Sequence, residues 1–330
     1  SVQIAYSPTS NDGGFSDTST STQANRKGTS STVKDKDKKS TTTVKSNSSN
    51  TTVGGGSPSG QTTTTLPGTD YSILVGATVS SSGPYAGLST TAAFDKFEDK
   101  VGRLRAHRVY SSNLPSSVPQ SVLDDHEAGR ASIYSFKANP SEVSKGTYDS
   151  DIRDLIDSIP NGHTTYLIYL HNPEASGYSS SDFRKAWSRF SAIVATEGRS
   201  EIVPTLSLMA WTWNPASGRS PTDWVPQPFP KSAVIGLDGL NQWPDTSWNS
   251  LASLHSYAVD WIEDRDIRWG VVSTGVHNDG SNPGRAKDWL DDAFDFSKDH
   301  RAEFFIYYES DLGSGDPWFI HSFTDLVQVF

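Results

Sequence analysis

The chain has 330 residues, 34% of them hydrophobic and 11% aromatic, enough to bury one large core or two ordinary ones. It contains no cysteine, which excludes disulfides, thiolate zinc sites and cysteine nucleophiles together. Of the net charge of −10, none comes from residues 1–70, where seven Lys/Arg face five Asp/Glu; an acidic main domain with no basic stripe speaks against nucleic acid as partner.

From Ser7 to Asp70 the sequence is mainly Ser, Thr, Gly, Asn and Lys, with too few apolar groups to offset the entropy cost of ordering. Residues 1–70 therefore read as a disordered tether, and the alternating signs of KDKDKK (34–39) suit a solvated linker better than a basic binding motif. The chain opens at Ser1 without a signal-peptide pattern, and no apolar run approaches the roughly 20 residues needed to span a bilayer.

After Asp70 the texture changes to short β-rich runs separated by amphipathic helical patterns. The strand candidates, in order, are 71–79, 103–110, 131–138, 164–172, 202–211, 233–241, 268–276 and 302–310. Helical patterns fall between most of them, as in TAAFDKFEDKV, SDFRKAWSRFSAIVA and GRAKDWLDDAFDFSKDH; the connection 110–131 carries little helix signal, and the last helix, around FTDLVQVF, is short. Eight β-α repeats over residues 71–330 predict an α/β fold, a (β/α)8 TIM barrel, whose sites lie at the strand C-terminal ends.

At those ends stand the motifs HNPE (171–174), LMAWTWNPASGR (208–219), GLDGLNQW (236–243), WGVVSTGV (269–276) and YYESDLGS (307–314). Together they resemble the glycoside hydrolase family 26 (β-mannanase-like) barrels of actinobacteria and their phages, over roughly residues 72–326. The resemblance implies a retaining glycosidase site, with an acid/base glutamate after the histidine of strand four and a nucleophilic glutamate at the end of strand seven. Asn172 and Ser273 occupy those positions, while His171, Pro173, Glu174, Thr274 and Gly275 keep the surrounding pattern. A retaining enzyme needs two carboxyls about 5–5.5 Å apart, and neither an amide nor an unactivated hydroxyl replaces them.

The remaining candidates are weighed against plainer roles. Strand alternation would point Glu174 the same way as Asn172 but further out, on the rim, as a glycan-binding group or a displaced acid. Ser273 lacks a GxSxG elbow, and filling the vacated glutamate space explains it better than nucleophilic attack. Asp238, Asp279, Glu309 and Asp311 lie at predicted strand ends or just beyond, and holding neighbouring Arg, amide or hydroxyl groups explains them better than membership of an inverting pair. On strand two, parity groups Arg105 with His107 and Arg108 with Tyr110, and His107 is assigned to the mouth. Aromatic faces stack on sugar C–H faces, so Trp211, Trp213, Trp224, Trp243, Tyr308 and Trp318 are groove candidates, whereas Trp187, Trp261 and Trp289 fall inside helices and suit core packing. His171, His277, Asp279 and Asp311 offer no close ligand pair, so no metal or cofactor is expected.

The reading that follows is a catalytically inactive glycosidase-like barrel that binds a polysaccharide or cell-wall glycan through His107, His171, Glu174, Trp211, Trp213, Asp238, Trp243, His277, Tyr308 and Glu309. Its expected setting is extracellular or on a virion surface, with the amino-terminal segment joining it to other virion or surface proteins. Two alternatives stay open: an active endo-glycosidase working through relocated carboxylates such as Glu174, and a purely structural virion component.

Overall fold

A computed structural model describes residues 72–282, 284–310 and 318–320. The Ser/Thr-rich segment, Asp311 and the FTDLVQVF helix candidate lie outside the described residues.

Eight parallel strands pair in sequence order and close into a barrel: β1 Leu74–Val79, β2 Ala106–Tyr110, β3 Ala131–Phe136, β4 Thr165–Tyr169, β5 Ile202–Met209, β6 Val234–Asp238, β7 Arg268–Thr274 and β8 Phe304–Glu309. The closing seam pairs Leu74 with Phe304 through to Val79 with Glu309. Between the strands run α1 Thr90–Val101, α2 Gln120–Ala128, α3 Pro140–Lys145, α4 Asp149–Asp157, α5 Ser180–Thr196, the single turn α6 Ala210–Trp213, α7 Leu251–Glu263 and α8 Gly284–Asp299. The (β/α)8 architecture expected from the pattern is the one observed.

Local chemistry explains the boundaries. Ser89, Ser179 and Ser250 each stand just before a helix, and their hydroxyls accept the orphan N–H of Ala92, Asp182 and Ser253. Gly129 and Gly146 close α2 and α3 in the left-handed conformation that glycine adopts at least cost. A helix, α2, does fill the 110–131 connection. Its buried residues are Ser121, Val122 and Asp125, so the face it turns to the barrel is largely polar and shows no apolar stripe in the sequence.

Each strand is buried on both faces, the usual condition of a parallel sheet under helices. Inside the barrel, Ala106, Ala131, Ile133, Tyr166, Ile168, Val203, Val234, Val272, Phe304 and Ile306 form one apolar cluster. Gly76 and Gly236 let the interior close: a Cβ on Gly76 would lie 2.1 Å from the Ala106 carbonyl oxygen, and one on Gly236 would lie 2.3 Å from Val272 Cγ1. A larger outer core, including Phe136, Trp187, Phe190, Trp269 and Trp289, joins strands to helices. Among the described residues no helix is long and apolar enough to cross a membrane.

Candidate functional site

The interior changes character towards the strand C-terminal ends. Strand parity continues the inward-facing set from the apolar cluster to Thr78, Arg108, Tyr110, Ser135, Ser207, Asp238 and Tyr308. Thr78 Oγ1, Arg108 Nε, Ser135 Oγ and His171 Nδ1 are buried without a hydrogen-bond partner among the described residues. Buried polar groups in folded proteins are nearly always satisfied, by protein, water or ligand. Four such groups at the mouth, above an apolar interior, mark a place built for polar company.

Asn172 lies at the centre of it. β4 ends at Tyr169, and the chain then turns through Leu170 (φ 48°) and Asn172 (φ 50°), both in the left-handed region that side chains other than glycine rarely enter. The turn brings the Asn172 amide to Asp238: Nδ2 donates to Oδ2 at 2.8 Å, and Ser207 Oγ donates to Asn172 Oδ1 at 3.4 Å. Ser273 reaches the same region through an irregularity in β7. The β6–β7 register shifts beyond Leu237–Val271, so Asp238 pairs with Ser273 and Val272 is the extra residue. Val272 packs inside the barrel, Val271 and Thr274 pair with the outward-facing Phe305 and Tyr307, and Ser273 shares the inward face with Asp238. The two positions expected to have held the carboxyls of a retaining enzyme therefore both border Asp238.

Two carboxyls remain here, and each is held in a way that the sequence did not reveal. Glu174 was expected on the rim. Instead the left-handed Asn172 starts a 3-10 turn over Pro173–Ala175 that folds Glu174 back onto the end of β5, where it is buried. Its Oε1 accepts from the Met209 backbone N–H at 2.8 Å and the Thr212 hydroxyl at 2.7 Å, while Oε2 is buried with no partner. Burial pushes its pKa up to about 7, against the pull of those donors, and the nearby Asp238 charge adds to the rise. Burial also raises Asp238 to about 6, opposed by the Asn172 amide and the Arg108 guanidinium. His171, edge-on to the Tyr110 ring at 5.2 Å, is held well below the ordinary histidine range by burial and by Arg108 and Lys137. It is neutral at physiological pH.

Several candidates lie elsewhere. His107 belongs to the opposite face of β2: its Nδ1 meets Asp125 of α2 at 3.1 Å and its ring packs on Phe94 of α1 at 4.0 Å, so it is not a mouth residue. The inward pair is Arg108 and Tyr110, with the guanidinium 4.4 Å from the Tyr110 ring centre. Glu309 likewise faces the helices, accepting from the Tyr85 hydroxyl at 3.0 Å and the Ile320 N–H at 2.8 Å. Trp213 is buried against Trp261 of α7, and Trp224 packs on Phe183, so both are core residues rather than groove walls. Asp279 accepts from Ser281 in its own loop and from Arg285 in the first turn of α8, a role in holding that loop to the helix.

The other aromatics border the strand ends. Trp211 is half-buried; its indole N–H contacts Met209 Sδ and Arg219 lies 3.5 Å above its ring. Trp243 and Trp248 meet at 5.8 Å, with Arg285 stacked on Trp248 at 3.8 Å. His277 packs edge-on to Trp318 at 4.1 Å, and Tyr308 lies 6.3 Å from the same indole. Trp318 thus sits on the mouth side of β7 and β8, close enough that a Cβ on Gly275 would come within 3.0 Å of it.

Comparison with known proteins supports the architecture. A ruminal GH26 endo-β-1,4-mannanase superposes with a TM-score of 0.51 at 9% identity, over 78% of this chain and 63% of its own, so this chain spans less than two thirds of its length. XacCel5A gives 0.53 at 12% identity over 71% and 87%, and a GH5 xyloglucan-specific endo-β-1,4-glucanase from a metagenomic library, solved with cellotriose, gives 0.50 at 12% over 78% and 95%. The chain has the fold of these glycoside hydrolases. At such identities the likeness extends to fold alone. No protein-family model and no curated protein matches the chain.

Proposed function

We propose that the barrel binds a polysaccharide or cell-surface glycan and does not hydrolyse it. One observation carries this reading: the mouth keeps a ring of buried, unpartnered polar groups, yet the two positions flanking Asp238 that a retaining enzyme would fill with carboxyls hold an amide and a hydroxyl. Tyr308, Trp211 and Trp243 supply aromatic faces around that ring, and sugars are bound by such faces together with a few convergent polar groups. The Ser/Thr-rich composition of residues 7–70 suits a tether, and the proposed setting is display on a phage virion, such as its tail, or on a secreted surface protein. Affinity electrophoresis through gels containing mannan, glucan, xyloglucan or arabinogalactan tests the binding. Retardation in at least one gel is expected; equal mobility in all of them contradicts it and favours a purely structural barrel.

A second reading has its own observation. Glu174 at about 7 and Asp238 at about 6 are two neighbouring carboxyls whose protons are held near neutral pH, the condition for general acid catalysis. Against it, one oxygen of Glu174 is committed to Met209 and Thr212, and Asp238 to Asn172. Hydrolysis by the parent that Glu174→Gln abolishes would favour this second reading.

A further inference from the structure

Beside the ring of polar groups lies a cavity of about 470 Å³ that neither the strand-end motifs nor the fold likeness accounts for. It opens between the segments following β2, β3 and β4, and its walls include Asn113, Lys137, Asn139, Tyr148, Leu170 and Tyr178. The size falls in the range of about 300–1,000 Å³ common to small-molecule sites. Leu170 connects it to the mouth, because the left-handed turn from Leu170 to Asn172 has its first residue in the cavity wall and its last on Asp238.

Lys137 is the unusual member. Only partly exposed, it forms no ion pair and no side-chain hydrogen bond with any described residue, although the chain carries ten more acidic than basic groups. Arg130 and Arg199, by contrast, are paired, with Asp125 and Glu98 and with Glu201, while the buried Arg108 and the partly buried Arg184 at least donate to the Ile133 and Thr222 carbonyls. A partly desolvated ammonium without a counter-charge costs free energy that an anion in the cavity would recover. Burial lowers the Lys137 pKa, and Lys137 in turn helps hold His171 neutral, so the charge stands close to the mouth. The tyrosines add what a sugar ring requires. Tyr178 is 39% exposed and Tyr148 half-buried, and neither hydroxyl makes a hydrogen bond among the described residues.

We propose that this cavity is a subsite for a carboxylate-bearing sugar, a uronic acid unit of the bound glycan, with Lys137 facing the carboxylate and Tyr148 and Tyr178 contacting the ring. The proposal deepens the glycan-binding reading and rests on it. A neutral hexose would leave the ammonium unpaired, whereas a uronate supplies both the ring and the charge. The acidic chain disfavours polyanions in general, so retention of one would reflect a local site rather than bulk attraction.

The test is affinity electrophoresis of the full chain through polygalacturonate, alginate, carboxyl-reduced polygalacturonate and phosphomannan, with the parent, Lys137→Gln and Lys137→Arg compared. Retention on a uronate polymer is expected, weakened at least tenfold by carboxyl reduction and by Lys137→Gln, and largely kept by Lys137→Arg. Equal retention on the reduced polymer, unchanged binding by Lys137→Gln, or retention on phosphomannan alone would overturn the carboxylate assignment. Should Lys137→Gln fail to fold, carboxyl reduction and Lys137→Arg still decide the matter. Binding to neutral glycans only would overturn the subsite and leave the glycan reading standing; retention on no polymer at all, neutral or acidic, would end both.

Discussion

Replacing Glu174 by glutamine should change how stability depends on pH, and the size of the change follows from its burial. The carboxyl is raised from its ordinary 4.5 to about 7, chiefly because ionising it means charging a buried group whose Oε2 has no donor. At about 1.4 kcal/mol per pH unit, this amounts to about 3 kcal/mol. The sign is that of a raised carboxyl. The folded state holds the proton more tightly than the unfolded chain, so the contribution is fully present below pH 4.5 and is lost as pH climbs through about 7. Glutamine keeps an acceptor for Met209 and Thr212 but cannot ionise. Measured against Glu174→Gln, the parent should therefore lose about 3 kcal/mol of relative stability between pH 4 and pH 8.5. Urea unfolding followed by tryptophan fluorescence at half-unit pH intervals gives the difference directly, and Asp238 is present in both proteins. Parallel pH profiles, or a parent that gains on the variant as pH rises, would refute the reasoning.

Other outcomes follow from the same contacts. Asp125 holds His107, Arg130 and Ser132 together behind the barrel, so Asp125→Ala should cost about 3–5 kcal/mol and lower Tm by roughly 10 °C in a thermal melt. Gly236→Ala should cost about 1–3 kcal/mol in urea unfolding, since the added methyl meets Val272 at 2.3 Å inside a packed barrel. The double variant Asn172→Glu with Ser273→Glu should release reducing sugar from a glycan that the parent only binds, because both positions border Asp238 at the mouth; a folded but inert double variant would count against that geometry.

The barrel was legible because parallel strands buried on both faces read as continuous apolar runs, and capped helices separate them. That same double burial hid the faces. Along β8, Phe304 and Ile306 point inward and Phe305 and Tyr307 outward, so hydrophobicity does not tell which face Glu309 takes. On β2, parity correctly separated His107 from Arg108 but not inside from outside. Helix α2 escaped notice because it buries Ser121 and Asp125 instead of an apolar stripe. Glu174 departs from its expected place for a different reason: alternation holds only while a strand continues, and β4 ends at Tyr169, before the left-handed Leu170 and Asn172 turn the chain. The shifted register at Val272 and the unpaired charge of Lys137 are tertiary facts with no local signature.

The most direct measurement incubates the parent protein with whichever polysaccharide retards it and counts reducing ends over time. Firm retention with no release above the no-protein control is expected. Steady release that disappears in Glu174→Gln would contradict the account and make the two raised carboxyls a working acid and base.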